Sequence, residues 1–475
     1  MAGLKSGNAA TNTLVSVSVS VPVSVRDSFG NGVVPKEALM IVREHVVQRL
    51  LVIVVLQTIF AGQCFAEAAD TIPQASDNNP ISPENVLEGI VPQPGALIPY
   101  GVPDSWFDFK DDVYDKIGLK FGFSYQMLMQ SASDTLPNST YDTAVGDWWG
   151  FLTKWTLLKR GSENEGTLVF SMFERGAVGN NAVPSNFGLV DVGSLTTNVE
   201  YTTWDFSIEN LYWQQKLATD KSKFEVRVGN QVVTTFLNPT RFKDSRVSYT
   251  TGPWAFHPTV PYPTFGFGAA AKWWPDKESG LYIAGSLNDM NGDPNLQGFD
   301  WSTVDRGEFF YGLEVGSNVN RSKDDYDHWH LLVFYADERS TRSPDTLPNK
   351  AGGGFRLVGE KQWDRWVGQA GYTYNTAQGG GVGGTLSKHT LTTGVSYLNP
   401  ASIRGEASIS LLYMNPIDEI FAEPVRDEYG IETYWRISFS NNIWITPGIR
   451  LVFNPALNKE DDFIAIPQFK FRVAL

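Results

Sequence analysis

Residues able to do chemistry lie in a few short groups along this chain of 475 residues. The most distinctive group is basic: Arg241, Lys243 and Arg246 stand close together, opposed only by Asp244. The whole chain is acidic, with a formal net charge of −14. A local group of ammonium and guanidinium donors in such a chain favours a site that hydrogen-bonds a solute. The plainer alternative is a solvated loop or an ion pair within the loop.

Other groups of potentially reactive residues give weaker evidence for a site. His328 and His330 share one face of an alternating segment and have the ligand chemistry for a metal, but no third ligand accompanies them. The run 289–293 resembles a calcium loop, yet its glycine stands fourth instead of sixth, so a turn is the default and a bound cation the lesser alternative. The glycines at 379–384 lack a following Lys-Ser/Thr. No Ser/His/Asp grouping stands out, and we predict no enzyme, no cofactor and no metal.

Composition narrows the class of protein. The chain has one cysteine, Cys64, and an acidic balance that argues against nucleic acid, whose binding needs a basic face. Aromatic residues make up 13%, and all 15 tryptophans follow residue 100. Aromatic residues favour strands and membrane interfaces. These features indicate an envelope protein.

The amino terminus has the pattern of an export signal. Arg43 and Arg49 precede the apolar run 50–56, which is followed by small residues and a cleavage point after Ala66. We assign residues 1–66 to this targeting region and expect 1–39 to come from an upstream start. A lipoprotein signal at Cys64 is the weaker alternative. Residues 67–115 are rich in proline at first and are expected to form a periplasmic lead-in.

The remainder, 116–475, alternates apolar and polar residues in segments typical of strands. We count sixteen, many near the roughly 9 to 11 residues that a tilted strand needs to cross a membrane. The predicted strands are 117–130, 148–158, 166–175, 203–217, 223–231, 263–273, 280–288, 307–318, 326–336, 353–360, 363–374, 388–398, 404–413, 428–439, 442–453 and 463–475.

Connections between these segments alternate in length. Long ones such as 131–147, 176–202 and 232–262 take turns with short ones such as 218–222 and 440–441. Outer-membrane barrels have this rotation of long extracellular loops and short periplasmic turns. We therefore predict an all-β, transmembrane antiparallel barrel of sixteen strands. The alternative is a soluble β-sandwich, β-helix or propeller. The alternation of apolar and polar residues along a strand does not by itself distinguish a lipid-facing side from a core.

The faces of single strands agree with a barrel. In the fifth segment Phe224, Val226 and Val228 oppose Glu225 and Arg227, so charge is confined to one face. Sixteen tilted strands give a barrel roughly 30 Å across, too wide for side chains alone to fill. The lumen should hold water, and the connection 232–262 is the natural element to narrow it.

Several stretches resemble the carbohydrate-selective porin (OprB) family. They read DWWGFLTKWTLL at 147–158, NLYWQQKL at 210–217 with VRVG at 226–229, and YIAGSLNDMNGDP at 282–294. The resemblance runs from about 110 to 475, although Leu475 stands where such barrels usually end in an aromatic residue. It implies facilitated diffusion of glucose and other small carbohydrates across the bacterial outer membrane. It also implies carbohydrate solutes, outer-membrane lipid and the barrel insertion machinery as partners, in a monomer or homotrimer.

Sugar passage needs aromatic rings for the C–H face and charged or amide groups for the hydroxyls. Affinity must stay weak, because tight binding stops conduction. We also expect Trp213 to lie opposite Arg227 on the lumen side. A general or anion-preferring porin would use the same constriction, and an adhesin or enzyme would need a rigid binding loop or catalytic cluster. The predicted pore-lining residues are Arg241, Lys243, Arg246, Trp254 and His257 in the loop, and Glu209, Trp213, Arg227, Glu432 and Arg436 on the wall.

Overall fold

The computed structural model describes residues 95–98, 101–196, 198, 201–242, 244–255, 259–263, 265–292, 301–322, 325–340, 350–378 and 385–475. Within them, sixteen strands form one closed antiparallel barrel in which each strand pairs with its neighbours in sequence and β1 pairs with β16. The predicted fold class and strand number are confirmed. The strands are β1 (Leu119–Ser131), β2 (Thr143–Leu158), β3 (Gly166–Ala177), β4 (Trp204–Ala218), β5 (Lys223–Gln231), β6 (Gly266–Trp274), β7 (Leu281–Asp289), β8 (Phe309–Ser322), β9 (Asp325–Ala336), β10 (Gly352–Trp363), β11 (Trp366–Asn375), β12 (Ser387–Leu398), β13 (Gly405–Pro416), β14 (Glu428–Ser440), β15 (Ile443–Phe453) and β16 (Phe463–Ala474).

Helical segments are few and short. The longest is α1 (Asp104–Ile117), which lies before β1 and was not predicted from the sequence. The others are α2 (Pro184–Asn186), a π-helical turn (Phe187–Val192), α3 (Gly252–Ala255) and the 3-10 turns Val233–Thr235, Val304–Arg306, Pro400–Ser402 and Asp418–Ile420. Among the described residues, none of the helices has the length and apolar character needed to cross a bilayer.

Helix α1 is held by its carboxyl end and by the contacts of two of its aromatic rings, Trp106 and Phe109, with Phe121 of β1. Gly118 ends it at φ 78°, a left-handed conformation that glycine adopts without strain, and donates its backbone N–H to Tyr114. Trp106 packs edge-on against Phe121 of β1 with ring centroids 6.1 Å apart. The helix therefore lies against the barrel beside the first strand.

Side chains alternate across the barrel wall as the sequence predicts. In β1, Phe123 and Tyr125 are exposed on the outer face, whereas Ser124 and Gln126 are buried on the inner face. Apolar rings on the outside meet lipid, and polar groups on the inside face the lumen. The two sets follow directly from the period of two in a strand.

The barrel closes between its first and last strands. Met127 of β1 stands opposite Phe471 of β16 in a continuous register. Beyond it, Phe123 and Leu475 exchange two backbone hydrogen bonds of 2.8 Å. Closure leaves no unpaired sheet edge, which is the condition for a sheet to exist in lipid.

Six strand boundaries differ from the prediction by three residues or more: the starts of β2, β6 and β11 and the ends of β8, β10 and β13. The start of β2 and the end of β10 show the physical reason. β2 begins at Thr143 instead of 148, because it pairs with β1 as far as Ser131. β10 continues to Trp363, which pairs with Trp366 across a two-residue turn where Asp364 has φ 52°. In both cases strand pairing extends a segment whose own alternation is weak.

Candidate functional site

The connection between β5 and β6, residues 232–265, is called the inserted loop below, and the residues of it that the structure describes fold into the barrel. Val233, Phe236 and Leu237 at its start are buried in one cluster with wall residues such as Tyr282 and Phe310. Apolar packing of this kind fixes a loop that would otherwise be mobile. The loop therefore forms part of the interior of the protein and narrows the lumen.

Four wall glutamates hold the inserted loop by accepting hydrogen bonds from it. Their bonds run from Asn238 N to Glu314 (2.6 Å), Arg241 N to Glu360 (3.0 Å), Arg241 Nη2 to Glu406 (3.1 Å) and Thr250 N to Glu432 (2.6 Å). All four carboxylates are buried. A buried carboxylate is tolerated only when donors satisfy its oxygens. Sequence reasoning identified Glu432 alone among the four, although strand parity places each on the lumen side.

Arg241 is a residue of the inserted loop, and its side chain reaches the wall of the barrel. Its side chain is 12% exposed and forms an ion pair of 3.1 Å with Glu406, which is 2% exposed. Arg436 of β14 reaches the same oxygen of Glu406 at 3.4 Å, and its side chain is 15% exposed. Two guanidinium groups thus share one carboxylate at the edge of the remaining lumen.

Arg246 forms a second, separate ion pair. Its Nε lies 2.7 Å from Oδ1 of Asp244, and its guanidinium stands 4.7 Å from the ring of Trp148 in β2. Burial raises the pKa of the Asp244 carboxyl, but the charge and hydrogen bonds of Arg246 outweigh it, so that pKa lies below its usual range. Arg472 of β16 adds to the same electrostatic field at Asp244.

Trp254 is placed differently from the prediction. Its side chain is fully buried, with its ring stacked on Tyr249 at 5.4 Å and edge-on to Phe242 at 5.9 Å. A buried ring cannot stack on a solute, so Trp254 packs the loop against the wall instead. Lys243 and His257, also predicted for this site, lie outside the described residues.

Trp213 is likewise not where the prediction placed it. It pairs with Val228, while Gln214 pairs with Arg227. The predicted pairing of Trp213 with Arg227 is thus wrong by one residue, and a shift of one residue moves a side chain to the other face. Trp213 therefore lies with Val228 on the outer face. The aromatic rings beside Arg227 are those of Tyr212 in β4, 5.1 Å from the guanidinium, and Phe236 in the inserted loop, 4.9 Å from it.

The remaining predicted wall residues divide into two roles. Glu432 is buried as a loop anchor and does not line open space. Glu209 accepts a hydrogen bond from Ser171 at 3.3 Å and lies 3.9 Å from Arg175, a basic lumen residue that the prediction omitted. Glu209 sits where the β3–β4 register shifts. It does not join the Arg241 and Arg246 group through a described contact.

Lys470 was also missed as a site residue. Its ammonium group donates to the backbone oxygens of Ser245 and Ser248, with 3.0 Å to the former. The alternation of β16 placed Lys470 and Arg472 on the lumen side, so the signal was present. What the sequence did not contain was the position of the loop that these side chains meet.

Arg241, Arg246, Arg436 and Arg472 together form the group we call the constriction. Its guanidinium groups present hydrogen-bond donors, while Glu406 and Asp244 offset part of their charge. His328 and His330 contact each other at 2.9 Å beneath the loop. Within the described part of the chain, no group of three His, Cys, Asp or Glu side chains has the arrangement of a metal site.

Comparison with known proteins agrees with this architecture. Residues 395–472, from the end of β12 into β16, match the profile of the family described as carbohydrate-selective porin, OprB family. The resemblance noted in the sequence is thereby confirmed. No curated protein sequence matches the chain.

Solved structures give a second comparison. The high-pH structure of Pseudomonas putida OprB superposes with a TM-score of 0.62 at 12% identity, covering 78% of this chain and 97% of that one. A Rhodopseudomonas blastica porin variant gives a TM-score of 0.41 at 12% identity, covering 74% and 99%. At such identity the first likeness shows the fold, an outer-membrane porin barrel.

Proposed function

We propose that this chain, whose residues 395–472 belong to the carbohydrate-selective porin OprB family, passes small carbohydrates through a water-filled, loop-narrowed barrel by facilitated diffusion. One observation carries the proposal. The matching region contains the strands that contribute Glu406, Arg436 and Arg472 to the constriction. The family match thus includes the wall side of the constriction, whereas Arg241 and Arg246 of the inserted loop lie outside it.

The constriction suits an uncharged solute rich in hydroxyl groups. Guanidinium groups donate several hydrogen bonds in one plane, and sugar hydroxyls accept them. Because Glu406 lies between Arg241 and Arg436, and Asp244 beside Arg246, much of the positive charge is compensated. Compensation reduces the attraction for small anions, which favours a sugar porin over an anion-preferring one. Such hydrogen bonds exchange with water and stay weak enough for release.

The barrel lies in the bacterial outer membrane, with lipid around its apolar outer face. Its export is part of our proposal: residues 1–66 act as the signal, and 67–115 lead into the barrel at 116–475. The barrel insertion machinery is the expected assembly partner, because closed sheets of this kind need lipid to cover their outer face. We further propose a monomer or homotrimer. A channel of this construction is not expected to be an enzyme.

Single-channel recording in planar bilayers tests the proposed function. Glucose and maltose should produce graded, reversible block of the ion current, and the variant with Arg241→Ala and Arg246→Ala should weaken that block severalfold. Arg160→Ala, at the periplasmic β2–β3 turn, serves as the control and should behave as the native protein. Equal passage of salts and sugars without block would leave a general porin. A sealed, nonconducting barrel would revive an adhesin or enzyme.

A further inference from the structure

A second group of basic residues lies in the lumen, away from the constriction. A cavity of 320 Å³ separates the start of the inserted loop from the ends of β2 to β7 that carry short turns. Those ends face the periplasm in an outer-membrane barrel. A solute that has passed the loop meets this cavity before it leaves. We call the group lining it the basic cavity: Lys154, Lys216, Lys223, Glu225, Arg227 and Lys272.

The basic cavity concentrates positive charge in an acidic protein. Five of its six charged side chains are cations, and Glu225 is the one acid, whereas the chain as a whole carries −14. Lys216 pairs with Glu165 at 2.9 Å, Arg227 pairs with Glu225 at 2.9 Å, and Glu314 and Glu225 act electrostatically on Lys272. A net positive potential remains at the cavity, and its low-dielectric walls strengthen that potential.

Aromatic rings hold the lysines in place. Lys272 Nζ lies 4.9 Å from the ring centre of Phe236 and 4.8 Å from that of Tyr282. Lys223 Nζ lies 4.8 Å from the ring centre of Trp274. A ring face positions a cation but carries no net charge, and Lys272 Nζ also donates to the backbone oxygen of Phe236 at 2.8 Å. Rings and ammonium groups therefore line the same small space.

The geometry points to a transient site for an anionic sugar in the basic cavity, a monosaccharide that carries a carboxylate or a phosphate. This inference rests on the proposed function for its sugar component. A sugar ring offers C–H groups to the aromatic faces, and its acidic group meets Lys223, Arg227 and Lys272. The volume is at the lower end of the roughly 300 to 1,000 Å³ usual for ligand pockets. A neutral sugar would contact the aromatic rings but gain nothing from the cations. Acetate would pair with the cations but has no sugar ring to contact the aromatic faces.

Block of single-channel current by sugars added on the periplasmic side tests the inference. Glucuronate and glucose 6-phosphate should block for several times longer than glucose, and acetate should give no resolved block. In the double variant Lys223→Gln with Lys272→Gln, the glucuronate dwell time should fall severalfold, to about that of glucose. Glucose block should not change, since the constriction is untouched.

Two further variants separate charge from packing. Lys272→Arg keeps the cation and should retain most of the glucuronate dwell time. Lys277→Gln removes a periplasmic lysine that pairs with Glu163 at 2.7 Å outside the cavity, and should have no effect. Equal dwell times for glucose and glucuronate in the native protein would overturn the inference but leave the proposed sugar porin in place. So would an equal glucuronate dwell time in the native protein and in the double variant. Resolved acetate block would identify a general anion site. Block by neither sugar would overturn the proposed function and, with it, this inference.

Discussion

Glu406 sets the charge balance of the constriction, because one buried carboxylate serves two guanidinium groups. It accepts from Arg241 at 3.1 Å and from Arg436 at 3.4 Å. The hydroxyl of Tyr434 also donates to it. Such a carboxylate has all its partners provided by the fold and none by solvent. The donor groups of both arginines are therefore held in fixed positions along the lumen.

Glu406→Gln should destabilise the barrel and disorder the constriction. The substitution leaves two largely buried cations without their shared counter-charge, which costs about 3 kcal/mol. The free energy of unfolding in detergent micelles measures the loss, and current noise in single channels should increase. Glu419→Gln, at an exposed position, should change stability by less than about 0.5 kcal/mol. Equal stability of both variants would show that the shared ion pair does not hold the loop.

Asp244 makes the inserted loop sensitive to acid. Its pKa is lower in the folded loop than in an unfolded chain, because Arg246 stabilises the charged form against the opposing effect of burial. A lowered folded pKa means that the stabilisation is complete above the unfolded value, about 3.9, and is lost as the pH falls through the folded value. We expect native channels to become noisy in that acidic range. Asp244→Asn channels should be noisy already at pH 7 and lose the acid transition at this site. Native channel noise that stays constant from pH 7 through the whole acidic range below the unfolded pKa would contradict this.

The sequence predicted the lumen side of most wall residues but not what each residue meets there. Parity placed Arg227, Arg436 and Glu432 correctly, since a strand alternates whatever surrounds it. The prediction for Trp213 was wrong for another reason: it assumed a turn near Asp220, and one strand does not reveal the pairing register. Parity also did not show that Trp254 is buried, because an aromatic residue in a loop serves equally for packing and for binding. The contacts of a loop residue depend on strands that are distant in the sequence, so they could not be predicted from the loop alone.

The strands could be predicted from the sequence because each must present apolar side chains to lipid, which produces a regular alternation of apolar and polar residues. Alternation located all sixteen strands, and the short turns located their ends. Helix α1 was missed because its apolar residues, including Trp106 and Phe109, are few and interspersed with acidic ones. β2 was predicted five residues too short because Thr143 to Asp147 alternates weakly and is fixed by pairing with β1.

A charge on the outer face of a central strand should be costly. Leu313 of β8 is 57% exposed near the middle of its strand. Leu313→Arg should lower the free energy of unfolding from lipid vesicles by about 2 to 4 kcal/mol, because the guanidinium enters hydrocarbon. Leu157→Arg, near the periplasmic end of β2, should cost only about 0 to 1 kcal/mol. Equal costs at the two positions would place the bilayer differently on the barrel.

At the scale of the whole molecule, the interior is divided between packed protein and water. Barrel closure follows from the strand count, and a diameter of roughly 30 Å follows from closure. The inserted loop then occupies part of this width through apolar packing and four wall glutamates. The sequence predicted that an element must narrow the lumen, and the longest connection was the correct choice. The identity of its anchors needed the structure, since the four glutamates lie on four separate strands.

Replacing residues 234–262 by a short glycine-serine linker should leave the barrel intact and widen its lumen. The wall glutamates that lose their loop donors become hydrated by lumen water, so no buried carboxylate remains unpaired. Strand pairing is unaffected, because β5 and β6 pair directly from Lys223↔Trp274 to Gln231↔Gly266. We expect a severalfold rise in single-channel conductance and loss of sugar block, with heat-resistant migration on gels retained. Deletion of the exposed residues 422–424 is the matched control and should alter neither property. Unchanged conductance after loop replacement would mean that another element sets the width of the pore, and that the constriction described here is not the narrowest part of the lumen.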